Sequence, residues 1–241
     1  MGVYTEKFKI KYSDVDHENK LTLRSLVGYL QEIAGDHSSA VGYGLNDIPS
    51  THVTWILLDW KVSILSRPSY GEELTITTWP RTLEKFYSCR DFEVRDQTGE
   101  VIGLASSKWI LINTDTKKIE RINSDILSAF NLEEKSVFTT PLDEKPIISK
   151  EASLSFDYII QRRDIDTNGH VNNLHYIDFA LETLPEEVYT SFEFSTLEIH
   201  YKKEIKYKES IHCYYSYEEN KHKIVIKNKD NTVIHAIIQL S

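Results

Sequence analysis

Two stretches of this chain carry matching residues at a constant spacing of 150 positions. Asp14 falls on Asp164, Asp16 on Asp166, Leu21 on Val171, Val27 on Ile177, Tyr29 on Phe179 and Glu32 on Glu182. The surrounding patterns repeat in the same order. In the first half a strand-like run over residues 3–12 leads into the polar turn SDVDHENK. Leu23, Leu26, Val27, Leu30, Ile33 and Ala34 then fall on one face of a helix closed by Gly42 and Gly44. Four β-rich runs follow: WILLDWKVSIL, ELTITTWPRTL, FYSCRDFEVRD and VIGLASSKWILIN. In the second half LSFDYIIQRR reads as a strand and DIDTNGH as a turn. VNNLHYIDFALETL reads as a helix ended by Pro185, and further strand-like runs reach the C-terminus.

A repeat of strand, turn, long helix and antiparallel strands implies duplication. Each copy is expected to wrap a curled antiparallel β-sheet around one long central helix, an α+β arrangement. We expect an N-terminal domain over residues 1–130, a linker over 131–149, where charges and two prolines gather, and a C-terminal domain over 150–241.

The copies differ in chemistry. At the same offset Asn168 meets Glu18 and His170 meets Lys20. Residues shared by both copies are expected to be structural, and residues present in one copy are better catalytic candidates.

Composition narrows the function. With 241 residues, 40% hydrophobic and 27% charged, the chain can build a core. Its net charge of −9 argues against general nucleic-acid binding and requires any acidic partner to dock on a local basic patch. Cys89 and Cys213 lie in strand-like runs and are expected to be buried thiols. No apolar run is long enough to span a membrane, and MGVYTEKFKI lacks the apolar core of a secretory signal, so a cytoplasmic location is expected.

Three readings compete for DIDTNGHVNN. As a calcium loop, Asp164, Asp166 and Asn168 alternate correctly before Gly169. The twelfth position, however, holds His175 where a bidentate glutamate is needed, so no metal is expected. As a plain turn, Asp and Asn are natural cap residues, with Asn172 as the N-cap. As an acyl-transfer site, Asp166, Asn168 and His170 alternate along one side of an extended segment at the mouth of a helix. Unpaired backbone N–H groups there would stabilise an oxyanion.

DIDTNGHVNNLHYIDFALETLP resembles the D-x-N-x-H-V-N-N-x-x-Y segment of the acyl-acyl carrier protein thioesterases. TWILLDWKVSILSRPSYGEELTITTW, CRDFEVRDQTGEVIGLASSKWILINTDTKKIERI and LEIHYKKEI resemble further segments of that family in the same order. The resemblance implies a double hotdog fold and hydrolysis of a fatty acyl-phosphopantetheine thioester carried by acyl carrier protein, as in fatty acid biosynthesis, with no cofactor. It places the family's catalytic Asp, Asn, His and Glu on Asp166, Asn168, His170 and Glu204. Ile205 stands where plant members carry a cysteine, so water attack is the chemistry left at that position.

On this reading Glu204 is the general base that activates water, with direct nucleophilic attack as the alternative, and backbone N–H groups of Val171 or Asn172 complete the oxyanion site. Lys202, Lys203, Lys206 and Lys208 dock the carrier protein. Leu26, Leu30, Trp55, Leu57 and Trp109 line the acyl-chain pocket, with ordinary core packing as the competing role for each. An acyl-CoA thioesterase and a non-catalytic acyl- or carrier-binding hotdog protein are the rival functions. Homodimerisation is left open.

Overall fold

The computed structural model describes residues 2–140, 142, 153–191 and 194–241. The chain divides into two compact units, Met1–Leu142 and Asp143–Ser241.

The N-terminal unit contains β1 (Tyr4–Lys9), α1 (Leu23–Ala40), α2 (Ile48–Thr51), β2 (Val53–Ile64), β3 (Glu73–Leu83), β4 (Tyr87–Arg95), β5 (Val101–Asn113) and α3 (Ser124–Phe130). Its strands run antiparallel in the order β1-β3-β4-β5-β2. The C-terminal unit contains β6 (Leu154–Ile159), α4 (His175–Glu182), α5 (Glu186–Ser191), β7 (Thr196–Tyr201), β8 (Ser210–Glu218), β9 (Lys221–Asn228) and β10 (Ile234–Leu240). Its order, β6-β8-β9-β10-β7, is the same path through the sheet.

The register also repeats. Phe8 pairs with Leu74 between β1 and β3, and Tyr158 pairs with Ile211 between β6 and β8. The first members differ by 150 positions and the second by 137. The repeat therefore keeps one offset through the helix and another after it, because the N-terminal copy has a longer segment between helix and third strand.

Local chemistry explains α1. The Thr22 hydroxyl accepts a hydrogen bond from the Ser25 N–H at 3.1 Å, an N-cap. Leu26, Val27, Leu30, Ile33 and Ala34 are buried along one face, and the helix packs on β1 and β3. Burying each larger side chain contributes about 1.5–3 kcal/mol, enough to hold a helix that would be marginal alone. Just past its end Gly42 adopts φ +80°, which stops the helix.

The second helix differs from expectation. It begins at His175 rather than Val171. Val171 forms a bridge with Ile165, and the Asn172 side chain accepts the Leu174 N–H at 2.9 Å, so a turn replaces the first helical turn.

From residue 131 the chain, as far as it is described, lies along the N-terminal unit. The Glu133 N–H reaches the Pro80 carbonyl at 3.0 Å, and Trp79 Nε1 donates to the Lys135 carbonyl at 2.7 Å. Val137 N–H meets Asp91 Oδ2 at 3.0 Å. The expected linker residues 141 and 143–149 lie outside the described residues. Among the described residues no helix is long and apolar enough to cross a membrane.

Candidate active site

The turn between β6 and α4 is built like the turn between β1 and α1. Asp14 Oδ2 accepts the Lys11 N–H at 2.8 Å, and Asp164 Oδ2 accepts the Gln161 N–H at 2.7 Å. The Thr22 N–H bonds the Asp14 carbonyl at 2.9 Å, and the Asn172 N–H bonds that of Asp164 at 2.8 Å. Asn19 and Gly169 take the same left-handed conformation, at φ 63° and 79°. Asp16 Oδ1 accepts N–H groups from Glu18 and Lys20, both at 3.0 Å. Asp166 Oδ1 accepts those of Asn168 and His170 at 2.8 and 3.3 Å. These shared bonds fix the loop, so one oxygen of Asp166 has a structural task.

The copies diverge where a later segment crosses the loop. Lys20 pairs with Ser69, and His170 with Lys206. The Leu21 N–H bonds the Pro68 carbonyl at 2.8 Å, and the Val171 N–H bonds the Ile205 carbonyl at 2.9 Å. By this register Arg67 and Glu204 occupy the same place in their copies. In the first copy Arg67 closes the loop. Its Nη2 makes a close ion pair with Asp16 Oδ2, and its Nε donates to the Leu21 carbonyl at 2.7 Å. In the second copy a carboxylate stands where the guanidinium stood. Among the described residues no cation pairs with Asp166 or Glu204. Asp166 Oδ2 has the Asn168 side-chain amide at 3.4 Å, and Asn168 and Glu204 are exposed. By backbone register the second copy thus carries Glu204, Asp166, Asn168 and His170 at the positions where the first carries Arg67, Asp16, Glu18 and Lys20.

Tyr176 was missed from sequence. It is buried, with its ring edge-on to Tyr201 at 5.2 Å, and the Tyr201 hydroxyl donates to the Asn173 carbonyl at 3.1 Å. Burial pushes the Tyr176 hydroxyl up. The Ile205 N–H opposes this, while the charges of Glu204, Glu209 and Asp166 add to it. The phenol therefore stays protonated and lies within the field of both site carboxylates. The repeat held the signal: at the offset of 150, Tyr176 stands opposite Leu26, an apolar helix residue.

One expectation fails. The N–H groups of Val171 and Asn172 are not free for an oxyanion, because they bond the carbonyls of Ile205 and Asp164. The bridge and turn that shorten α4 use them. Among the described residues the neighbouring Asn173 N–H has no acceptor.

Lys202, Lys203, Lys206 and Lys208 are all exposed beside Glu204. Leu26, Leu30 and Leu57 are buried core residues of the N-terminal unit. Trp55 is half-buried against the cluster of Leu111, Ile122, Ile126 and Phe130, and half-buried Trp109 donates from Nε1 to Ser107 Oγ at 2.7 Å. Cys213 is buried and its thiol is pushed up to about 12 by that burial, so it is not a thiolate near neutral pH. Cys89 is only half-buried.

Two copies of one antiparallel strand path, each packed with a helix and each preceded by the same turn with different side chains, define a double hotdog of the α+β class. The chain belongs to the acyl-ACP thioesterase family: the model of the family's N-terminal domain matches residues 2–130, and that of its C-terminal domain matches residues 148–239. Among its relatives, the chloroplastic oleoyl-acyl carrier protein thioesterase 1 of Arabidopsis thaliana is 28% identical over 217 residues. That match covers 83% of this chain and 60% of the relative. The crystal structure of an acyl-ACP thioesterase from Bacteroides thetaiotaomicron superposes with a TM-score of 0.88 at 24% identity, covering 99% of this chain and 96% of that one. The 12:0-ACP thioesterase of Umbellularia californica gives a TM-score of 0.83 at 20% identity, covering 99% and 96%.

Proposed function

We propose that the chain hydrolyses the thioester between a fatty acyl chain and the phosphopantetheine of acyl carrier protein, releasing free fatty acid. Family membership supports the class of reaction. The observation that carries the site is the exchange of Arg67 for Glu204 between two otherwise matching loops.

In this reading Glu204 takes a proton from water. The water oxygen bonds to the thioester carbon, and the tetrahedral oxyanion is held by the Asn168 amide and the Asn173 N–H. Collapse breaks the C–S bond, and the proton on Glu204 passes to the departing thiolate. His170 positions the water or the carbonyl. Asp166 holds the loop and orients the Asn168 amide.

The test is a fatty-acid release assay on a ladder of acyl-acyl carrier proteins and the matching acyl-CoAs. The expected result is a higher kcat/KM for the carrier-protein substrates. Equal or better use of CoA removes the carrier from the reading, and no release from either removes the hydrolase.

Lys206 and Lys208 are proposed to meet the acidic carrier. Reversing both to glutamate is expected to raise KM for acyl-acyl carrier protein about ten-fold at low salt, with the difference shrinking as salt screens the contact. A salt-independent KM in both proteins would remove the lysines from docking.

A further inference from the structure

A groove flanks the catalytic loop. It is lined by Asp157, Tyr158, Gln161, Arg162, Arg163 and Tyr207. Arg162 and Arg163 sit on the tight turn Arg162–Asp164, which leads straight into the loop. Tyr207 follows Lys206, the bridge partner of His170. Groove and loop are therefore parts of one local structure.

The arginines are held and yet available. Arg162 Nε donates to the Tyr207 hydroxyl at 3.3 Å, and Arg163 Nη2 donates to the Tyr158 hydroxyl at 3.4 Å. Arg163 reaches Asp164 only at 3.8 Å, and its side chain is 78% exposed. Among the described residues Arg162 has no carboxylate partner. Asp157 makes a close contact with His212 Nδ1. Lys208 adds a further cation, its Nζ 5.4 Å from the centre of the Tyr207 ring.

The repeat supplies an independent argument. At the offset of 150 the arginines stand opposite Tyr12 and Ser13, while at the later offset of 137 Tyr207 stands opposite Tyr70. The tyrosine belongs to both copies. The two arginines, like Asn168 and His170, occur only in the copy that carries the candidate site. A chain of net charge −9 has thus gathered guanidinium groups at the one loop proposed to meet a thioester.

We propose that the groove of Arg162, Arg163 and Tyr207 binds the phosphate of the phosphopantetheine arm. A guanidinium presents a planar fork that pairs two N–H groups with two phosphate oxygens, and the tyrosine hydroxyls hold that fork in place. A phosphate fixed there tethers the arm while its thioester end lies at Glu204 and His170. The assignment rests on the thioesterase reading for the identity of the ligand.

Titration calorimetry on the full chain, with pantetheine and 4′-phosphopantetheine as probes, tests the groove without relying on turnover. The phosphorylated probe is expected to bind about ten-fold more tightly to the wild type. In the R162Q/R163Q variant the ratio of the two affinities should collapse toward one. R162K/R163K, which keeps the charge and loses the fork, should retain part of it. Equal affinity for the two probes in the wild type, or an undiminished ratio in R162Q/R163Q, overturns the proposal. So does a variant that loses kcat/KM on acyl-acyl carrier protein while keeping its preference for phosphopantetheine, because the arginines then read the carrier's carboxylates. Hydrolysis of an acyl-pantetheine thioester by the wild type is measured separately. Its absence counts against the thioesterase reading and leaves the calorimetric result on the groove standing.

Discussion

Glu204→Gln is expected to lower kcat about 10²–10⁴-fold, the range a general base contributes, with little change in KM. The amide keeps the size and shape of the side chain and removes its basicity. Glu204 is exposed, so the exchange leaves no buried group without a partner, and the melting temperature should stay close to that of the wild type. The loss falls on kcat because water gives up its proton in the transition state and not on binding. Single-turnover release of fatty acid, run beside a melting curve, separates the two effects. A folded Glu204→Gln protein with wild-type turnover would remove the carboxylate from the chemistry. A folded variant with intact kcat and raised KM would make Glu204 a binding residue.

The sequence exposed those parts of the fold whose order is local. The α1 stripe of Leu26, Leu30 and Ile33 follows helical spacing, and the observed helix ends where the glycines begin. Three short helices escaped. α2 has 4 residues, α3 has 7 and α5 has 6, too few turns for a periodic signal. α3 is set by the Asn123 side chain, which accepts the N–H groups of Asp125 and Ile126 at 3.1 and 3.0 Å. Its Phe130 is buried against Leu111 on β5, a contact that no local pattern encodes. Pro185 was read as a helix end, and it also starts the next helix by accepting the N–H groups of Val188 and Tyr189, both at 2.9 Å.

For the site, the alternation of Asp166, Asn168 and His170 was readable because those residues lie in one short loop. What Glu204 replaces was not. Arg67 and Glu204 are 137 positions apart and the first half of the repeat runs at 150, so a single offset conceals the pair. Only the backbone pairing of Lys20 with Ser69 and of His170 with Lys206 aligns them. The oxyanion donors were hidden in the same way: a helix start suggests free N–H groups, and bonds to the Ile205 and Asp164 carbonyls decide otherwise.

Arg67→Glu is expected to destabilise the N-terminal unit by about 2 kcal/mol, between the small loss of an exposed ion pair and the several kcal/mol of a buried one. The placement is intermediate because the Arg67 and Asp16 side chains are 30% and 23% exposed. The exchange gives the first loop the residue type that the second carries at the matching position, without the Asn168 and His170 that accompany it. At this chain length such a loss corresponds to about 4–8 °C in melting temperature. The pH dependence follows from Asp16. Burial raises its carboxyl, but the N–H groups of Lys20 and Glu18 and the Arg67 guanidinium outweigh that and hold it below its ordinary value. A carboxyl lowered on folding stabilises above its unfolded pKa of about 3.9, and that contribution disappears as the pH falls through the folded value. The gap between wild type and Arg67→Glu should therefore be widest near neutrality and close in acid. The reciprocal exchange, Glu204→Arg, should let a guanidinium pair with Asp166 as Arg67 does with Asp16. That protein should melt no lower than the wild type and hydrolyse nothing. If Arg67→Glu melts like the wild type at neutral pH, the ion pair is not what closes the first loop. If Glu204→Arg keeps its activity, the two loops are not counterparts and Glu204 is not the base.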